Sequence, residues 1–292
     1  NFIIKKNGKV FGYNTDVYGA LKTIQTFKKD KVCIYGFGGS GEAITVGEGN
    51  IGLGRHSLMI ELEGSNNTAL GYDAMQYWIT GGVNAAAGGK VQGNNVAIGF
   101  NTLSNSAGNE QIAVGGYALS ENTTGSQNNA IGYQALYSNT TGSSNIAVGY
   151  KSLHSNTTGG GNIAIGKESL SSNTTASSNT AVGNSSMRSN TTGSDNTAFG
   201  DAALLSNTTG ELNTAVGTSS MENNTTGRLN TSVGSGTLSR NTTGDANTAT
   251  GHQTLSTNTT GNNNTAYGYK SLINNTTAND NTATGFKALE SN

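Results

Sequence analysis

The chain has 292 residues and a formal net charge of −1, and Leu, Ile, Val and Phe together number 52, about 18%. So few large apolar side chains exclude one big globular core, the near-neutral balance gives no case for nucleic acid, and no run nears the ~18 apolar residues of a membrane-spanning helix. With 43 Gly, no Pro and a single cysteine, Cys33, neither an internal disulfide framework nor a multi-cysteine metal site is available. A repetitive Gly/Asn/Thr-rich architecture is expected instead.

Residues 1–45 differ from the rest. Seven of the 16 Lys+Arg fall in the first 31 positions, opposed by Asp16 and Asp30. The stretch Gly12-Tyr13-Asn14-Thr15-Asp16 is followed about 20 residues later by Gly36-Phe37-Gly38-Gly39-Ser40-Gly41 after the apolar Val32–Tyr35. This pair of motifs resembles shikimate dehydrogenase. The resemblance implies substrate contacts at Asn1 and Asp16, an acid/base role for Asp16, and an NADP phosphate turn at Gly36, Gly38, Gly39 and Gly41. It also implies inactivity. The family's catalytic Lys falls before Asn1, and the pattern stops near Ile44, where the remaining strands of a doubly wound sheet are missing. Residues 1–45 are therefore expected to be a severed piece carried at the edge of another fold, with no cofactor. The chain opens on Asn1 without a Met and stops at Asn292, seven residues past Gly285, so both ends are expected to be cuts, from a fused or a mis-joined reading frame.

From residue 46 a glycine preceded by a small residue and then a branched one marks a period. Gly54 and Gly71 are 17 apart; the interval from Gly71 to Gly99 is 28, and it contains the sole Trp, Trp78. Residues 46–94 are thus expected to be irregular first coils with an insertion at 76–94, read as a protruding loop or an irregular coil at an oligomer axis. Over 95–292 the glycine recurs at Gly115, Gly132, Gly149, Gly166, Gly183, Gly200, Gly217, Gly234, Gly251, Gly268 and Gly285, every interval 17. Leu or Met stands four residues after each, a small residue three after in the regular units, and Ala two before, with Gly52 and Ser232 as exceptions.

Each unit reads physically. Asn-Thr-Ala-Val-Gly alternates as a strand does, with Ala on one face and the branched residues on the other. A second short extended piece is expected to carry the Leu, and Asn-Thr-Thr-Gly is a turn signal. Gly and β-branched Thr throughout every unit argue against helix. The spacing therefore predicts an all-β parallel solenoid of 17-residue coils, with like residues stacked into ladders. One coil is expected to bury about one Leu, one Val-like residue and two small ones, too little to offset the ordering of 17 residues. The row Ile98, Val114, Ile131, Val148, Ile165, Val182, Phe199 and Val216 stays outside a lone coil, so lateral association of several chains is expected.

The unit at Asn145–Gly159, repeated at Asn213–Gly227, resembles the head repeats of trimeric autotransporter adhesins and the repeats of phage tail fibres. The resemblance covers about residues 46–292. It implies a left-handed parallel β-roll packed as a homotrimer, an extracellular place on a bacterial surface or virion fibre, and a cell-surface glycan or protein receptor. The head repeat of that family is shorter than 17, so the Asn-Thr-Thr-Gly turn is a departure.

Other residues offer weaker chemistry. His56, His154 and His252 occupy three different repeat positions and read as surface loop residues rather than a metal site. Glu110, Glu168, Asp195, Asp201, Glu211, Asp245 and Asp280 are scattered and form no calcium ladder. Asn-Thr-Thr recurs ten times from Asn122 to Asn275, formally a glycosylation acceptor but better read as an Asn bonding its own backbone. Tyr72, Tyr133, Tyr150 and Tyr269 give an outward aromatic row, read as loop packing ahead of sugar stacking. The expected function is a non-catalytic adhesion fibre. The competing readings are an NADP-dependent shikimate dehydrogenase and an ice-binding solenoid, the latter weakened by Ile, Val and Tyr beside the Thr positions.

Overall fold

The computed structural model describes residues 2–6, 9–13, 33–35, 51–54, 57, 66–75 and 93–290. Strands β1 (Phe2–Lys6) and β2 (Lys9–Tyr13) form an antiparallel pair with Phe2 opposite Tyr13. All the others are three residues long and belong to one 15-stranded parallel sheet in strict chain order. It runs from β3 (Cys33–Tyr35) through β4 (Ile51–Leu53), β5 (Thr68–Leu70) and β6 (Val96–Ile98), then one strand per coil through β9 (Ile146–Val148), β10 (Ile163–Ile165) and β11 (Thr180–Val182) to β17 (Thr282–Thr284). Among the described residues there is no helix. The 17-residue coil is thus the structural unit, as the spacing predicts.

Register follows sequence distance. Ile163 lies opposite Ile146 and Thr180, and Ala164 opposite Ala147 and Ala181. At the irregular interval Thr68 still pairs directly with Val96, so the longer spacing there adds no strand to the ladder. Residues 76–92, with Trp78, lie outside the described residues. Cys33 pairs with Ile51, so the sheet's first strand comes from within residues 1–45.

The coil at 145–161 shows how local chemistry makes this shape. Ala147 is fully buried while Ile146 and Val148 are partly exposed, the alternation expected of a strand with one face inside. The chain then turns at Gly149, whose φ is +136°, and a Cβ there would lie 2.4 Å from the carbonyl oxygen of Gly166. Glycine is demanded twice, by the backbone angle and by the next coil.

After the corner the structure departs from the expected second extended piece. Lys151 and Leu153 have φ of +52° and +51°, and the same two positions are left-handed in coil after coil. The segment is a curl, and two gains offset its unfavourable angles. Its backbone still joins the ladder: Leu153 N donates to the Ser169 carbonyl (2.9 Å) and Lys151 N to the Tyr133 carbonyl (3.0 Å). The curl also aims Leu153 inward, where it is fully buried, with Leu136 and Leu170 in the same column. Met75, Met187 and Met221 take this place in three coils.

Half of the core is polar. Asn156 donates its amide to Asn139 Oδ1 (2.9 Å) and to the Gly159 carbonyl (2.9 Å), and the pattern continues through Asn173, Asn190 and Asn207. A second ladder of asparagines stands just ahead of the strands from Asn128 to Asn264, with Gln111 in that place before Ile112. Asn145 donates its backbone N–H to Asn128 Oδ1 (3.0 Å) and its side chain to the Gly159 carbonyl (2.9 Å). Both asparagines are fully buried. A buried amide costs little only when its donors and acceptor are all used, which the one-coil repeat provides.

Candidate functional site

The residues assigned to the dehydrogenase resemblance, Asn1, Asp16, Gly36, Gly38, Gly39 and Gly41, lie outside the described residues, as does His56. The remaining candidates form rows fixed by the coil, on the outside of the rod except for the Asn-Thr-Thr asparagines.

His154 stacks on Tyr137 with ring centroids 5.4 Å apart, and burial, then Lys151, hold its pKa below the usual histidine value. Burial also raises the Tyr137 hydroxyl pKa, with Glu121 adding to the shift. His252 stacks on Tyr269 at 5.7 Å. Both histidines are members of aromatic stacks. Among the described residues no group of three or more His, Cys, Asp or Glu is placed to hold a metal ion. The carboxylates meet neighbours about one coil away: Glu110 accepts from Gln127 (3.0 Å), Asp201 from Asn184 (2.8 Å), Asp280 from Asn263 (3.1 Å), and Glu168 faces Arg188 at 3.7 Å.

The Asn-Thr-Thr asparagines from Asn122 to Asn275 are at most 2% exposed. Their amides are committed inside the coil, so attachment of a sugar to them would require unfolding. The adjoining first threonine continues the theme: Thr157 Oγ1 donates to the Thr174 carbonyl (3.0 Å), and Thr208 to that of Thr225 (3.0 Å).

The aromatic row is more structured than a set of outward loops. Tyr72 stacks on Phe100 at 5.5 Å and 9°, Tyr133 on Tyr150 at 5.9 Å and 12°, and Tyr117 joins the two pairs edge-on. Tyr269 stacks on Phe286 at 5.3 Å. Ring faces are turned toward neighbouring coils, which leaves edges for solvent and removes the flat platform that sugar stacking needs. The rings are nonetheless 40–47% exposed at Tyr72, Phe100, Tyr133, Tyr150 and Tyr269.

The outward strand face changes along the rod. From β6 to β10 it presents Val96, Ile98, Ile112, Val114, Ile131, Ile146, Val148, Ile163 and Ile165, with Asn129 as the polar member. From β11 to β17 one row is Thr throughout, Thr180 to Thr282, while the other holds Val182, Phe199, Val216, Val233, Thr250, Tyr267 and Thr284. A uniform Thr-x-Thr array therefore does not form. Ile98, Ile131, Ile165, Phe199 and Val216 are 37–43% exposed. Sequence reasoning found this row by its period. It also placed Asn over Asn in a ladder, but not the full burial of these amides or their bonds to the turn carbonyl 14 residues on. No family model, no curated protein and no solved structure matches the chain in the comparisons made with known proteins.

Proposed function

We propose that the chain is a structural segment of an adhesion fibre, in which several copies, most simply three, pack side by side through the outward strand face. The fibre projects from a bacterial surface or a virion and carries or contributes to receptor binding, and no residue on it performs catalysis. The observation that carries this reading is the exposed apolar row Ile98, Ile131, Ile165, Phe199 and Val216, running along one face of the rod. A row of that length on a lone rod exposes apolar surface that a partner with the same repeat would cover. The ladders supply the stiffness a projecting element needs, since each coil is bonded to its neighbours around its whole circumference. The residues resembling shikimate dehydrogenase have no part in this function.

Replacing Val148, Ile165 and Val182 together with Ser tests the face. These side chains are only partly buried in one chain, so a single column should still form. The expected outcome is a fall to single-chain mass by light scattering and a lower melting temperature. A triple variant that keeps the wild-type mass would show that the chains do not meet there.

A further inference from the structure

In a repeat array, the informative residues are those that break the repeat. The position that follows each Asn-Thr-Thr-Gly or Asn-Thr-Thr-Ala turn carries a spine: Ser126, Ser143, Ser177 and Ser194 each accept a backbone N–H from the preceding coil, at 3.1–3.2 Å, with Gly160 as a gap. In the next three coils that position holds Glu211, Arg228 and Asp245. Arg228 has donors only, so it cannot continue the spine toward Glu211. Its own N–H is taken by Asp245 Oδ1 at 2.7 Å, after which the spine resumes from Asp245 to Asn262.

A second departure falls on the same coils. The next position is left-handed and holds Gln127, Ser144, Gly161, Ser178 and Asp195 in earlier coils, and Ala246, Asn263 and Asp280 in later ones. In the coils of Glu211 and Arg228 it holds Leu212 and Leu229, with φ of 57° and 59°. They are 53% and 57% exposed. A bulky apolar residue at that angle is unfavourable, and here burial does not offset it.

Beside these residues lies an open trough of about 410 Å³, lined by Thr209, Glu211, Thr226, Arg228, Thr243 and Asp245. We propose that this trough binds a neutral oligosaccharide. The two carboxylates and the guanidinium are planar groups suited to paired hydrogen bonds with adjacent sugar hydroxyls, and the three threonines can both donate and accept. Leu212 and Leu229, each exposed and one residue along from Glu211 or Arg228, offer apolar surface to the C–H face of a sugar ring that extends past the trough's own lining. The alternating signs nearly cancel, which gives a polyanion no net attraction. Arg228 is free to engage a ligand, because its contact with Asp245 is 4.0 Å long and both side chains are largely exposed. The proposal rests on the fibre reading only for its role in adhesion.

The test uses the intact chain and fluorescent neutral hexaoses of glucose, mannose and N-acetylglucosamine, with a heparin hexamer as the anionic control. At least one neutral hexaose is expected to bind in preference to heparin. Glu211→Ser, Arg228→Ser and Asp245→Ser together give these coils the serine found at Ser126, Ser143, Ser177 and Ser194, so folding and mass should hold while affinity falls about tenfold or more. Leu212→Ser with Leu229→Ser should weaken binding without touching the charged groups. Equal binding by wild type and both variants, preference for heparin, or no binding of any neutral hexaose would overturn the site and leave the fibre reading intact. A single-chain wild type that binds sugar, and loses it in the variants, would support the trough and remove the fibre.

Discussion

Replacing Leu153 with Ala is expected to destabilise each chain by about 2–5 kcal/mol, the cost of a cavity in a core that cannot collapse to fill it. Leu153 is fully buried, and its column neighbours Leu136 and Leu170 are held in place by their own ladder bonds, so the void persists. In a laterally packed fibre the loss recurs in every chain at the same level, and fraying should begin there. Tyr150→Ala makes the comparison. Tyr150 is 43% exposed but stacked on Tyr133, so its loss should cost only ~0.5–1.5 kcal/mol. Denaturant unfolding of the two variants measures the difference. Equal losses would mean that the Leu column is not the core.

Asn190→Asp is expected to have the largest effect of any isosteric change. Asn190 donates to Asn173 Oδ1 (3.0 Å) and the Gly193 carbonyl (2.9 Å), and accepts from Asn207 (2.7 Å). A carboxylate there keeps the last bond and turns its second oxygen toward two acceptors, in a fully buried place. The cost at neutral pH should be about 3–5 kcal/mol, as for other uncompensated buried charges. Protonation restores a donor, so the folded state raises the pKa of the introduced carboxyl above the ~3.9 of the unfolded chain. The folded state then binds the extra proton between those two values. Relative stability is thus retained below about pH 4 and lost as pH rises through the folded pKa. His154, whose pKa is lowered, works in the opposite sense, losing stability as pH falls through the range below its unfolded value. Subtracting the wild-type curve from that of the variant removes its contribution. Melting temperatures from pH 3 to 8 check this; a difference that does not change with pH would contradict the ladder assignment.

How much of this was legible in the sequence depends on whether a residue's role shows in its identity. Gly149 and its equivalents announce a backbone angle, Ala147 an inward strand face, and Leu153 a core position, so period, strand and core could be read directly. The curl around Leu153 could not, since Leu carries no signal for a left-handed angle and reads as extended. Asn145 was legible as the first residue of the strand segment, stacked on its equivalents, but not as a fully buried amide, because the groups that satisfy it lie 14 and 17 residues away. The stacking of Tyr150 on Tyr133 was hidden for the same reason. On the outside, Glu211 and Asp245 read as scattered when carboxylates are compared with carboxylates. They become a group only when set against the serine spine and beside Leu212 and Leu229.

Small-angle X-ray scattering from the intact chain tests the fibre most directly, because one profile yields both mass and shape. Residues 95–292 hold twelve glycine corners, and coils stacked at ~4.8 Å give a regular rod about 58 Å long. The expected result is a particle of about three times 29.7 kDa, with a rod-like cross-section of several packed columns. A mass of 29.7 kDa with the cross-section of a single column would contradict lateral association, and with it the fibre.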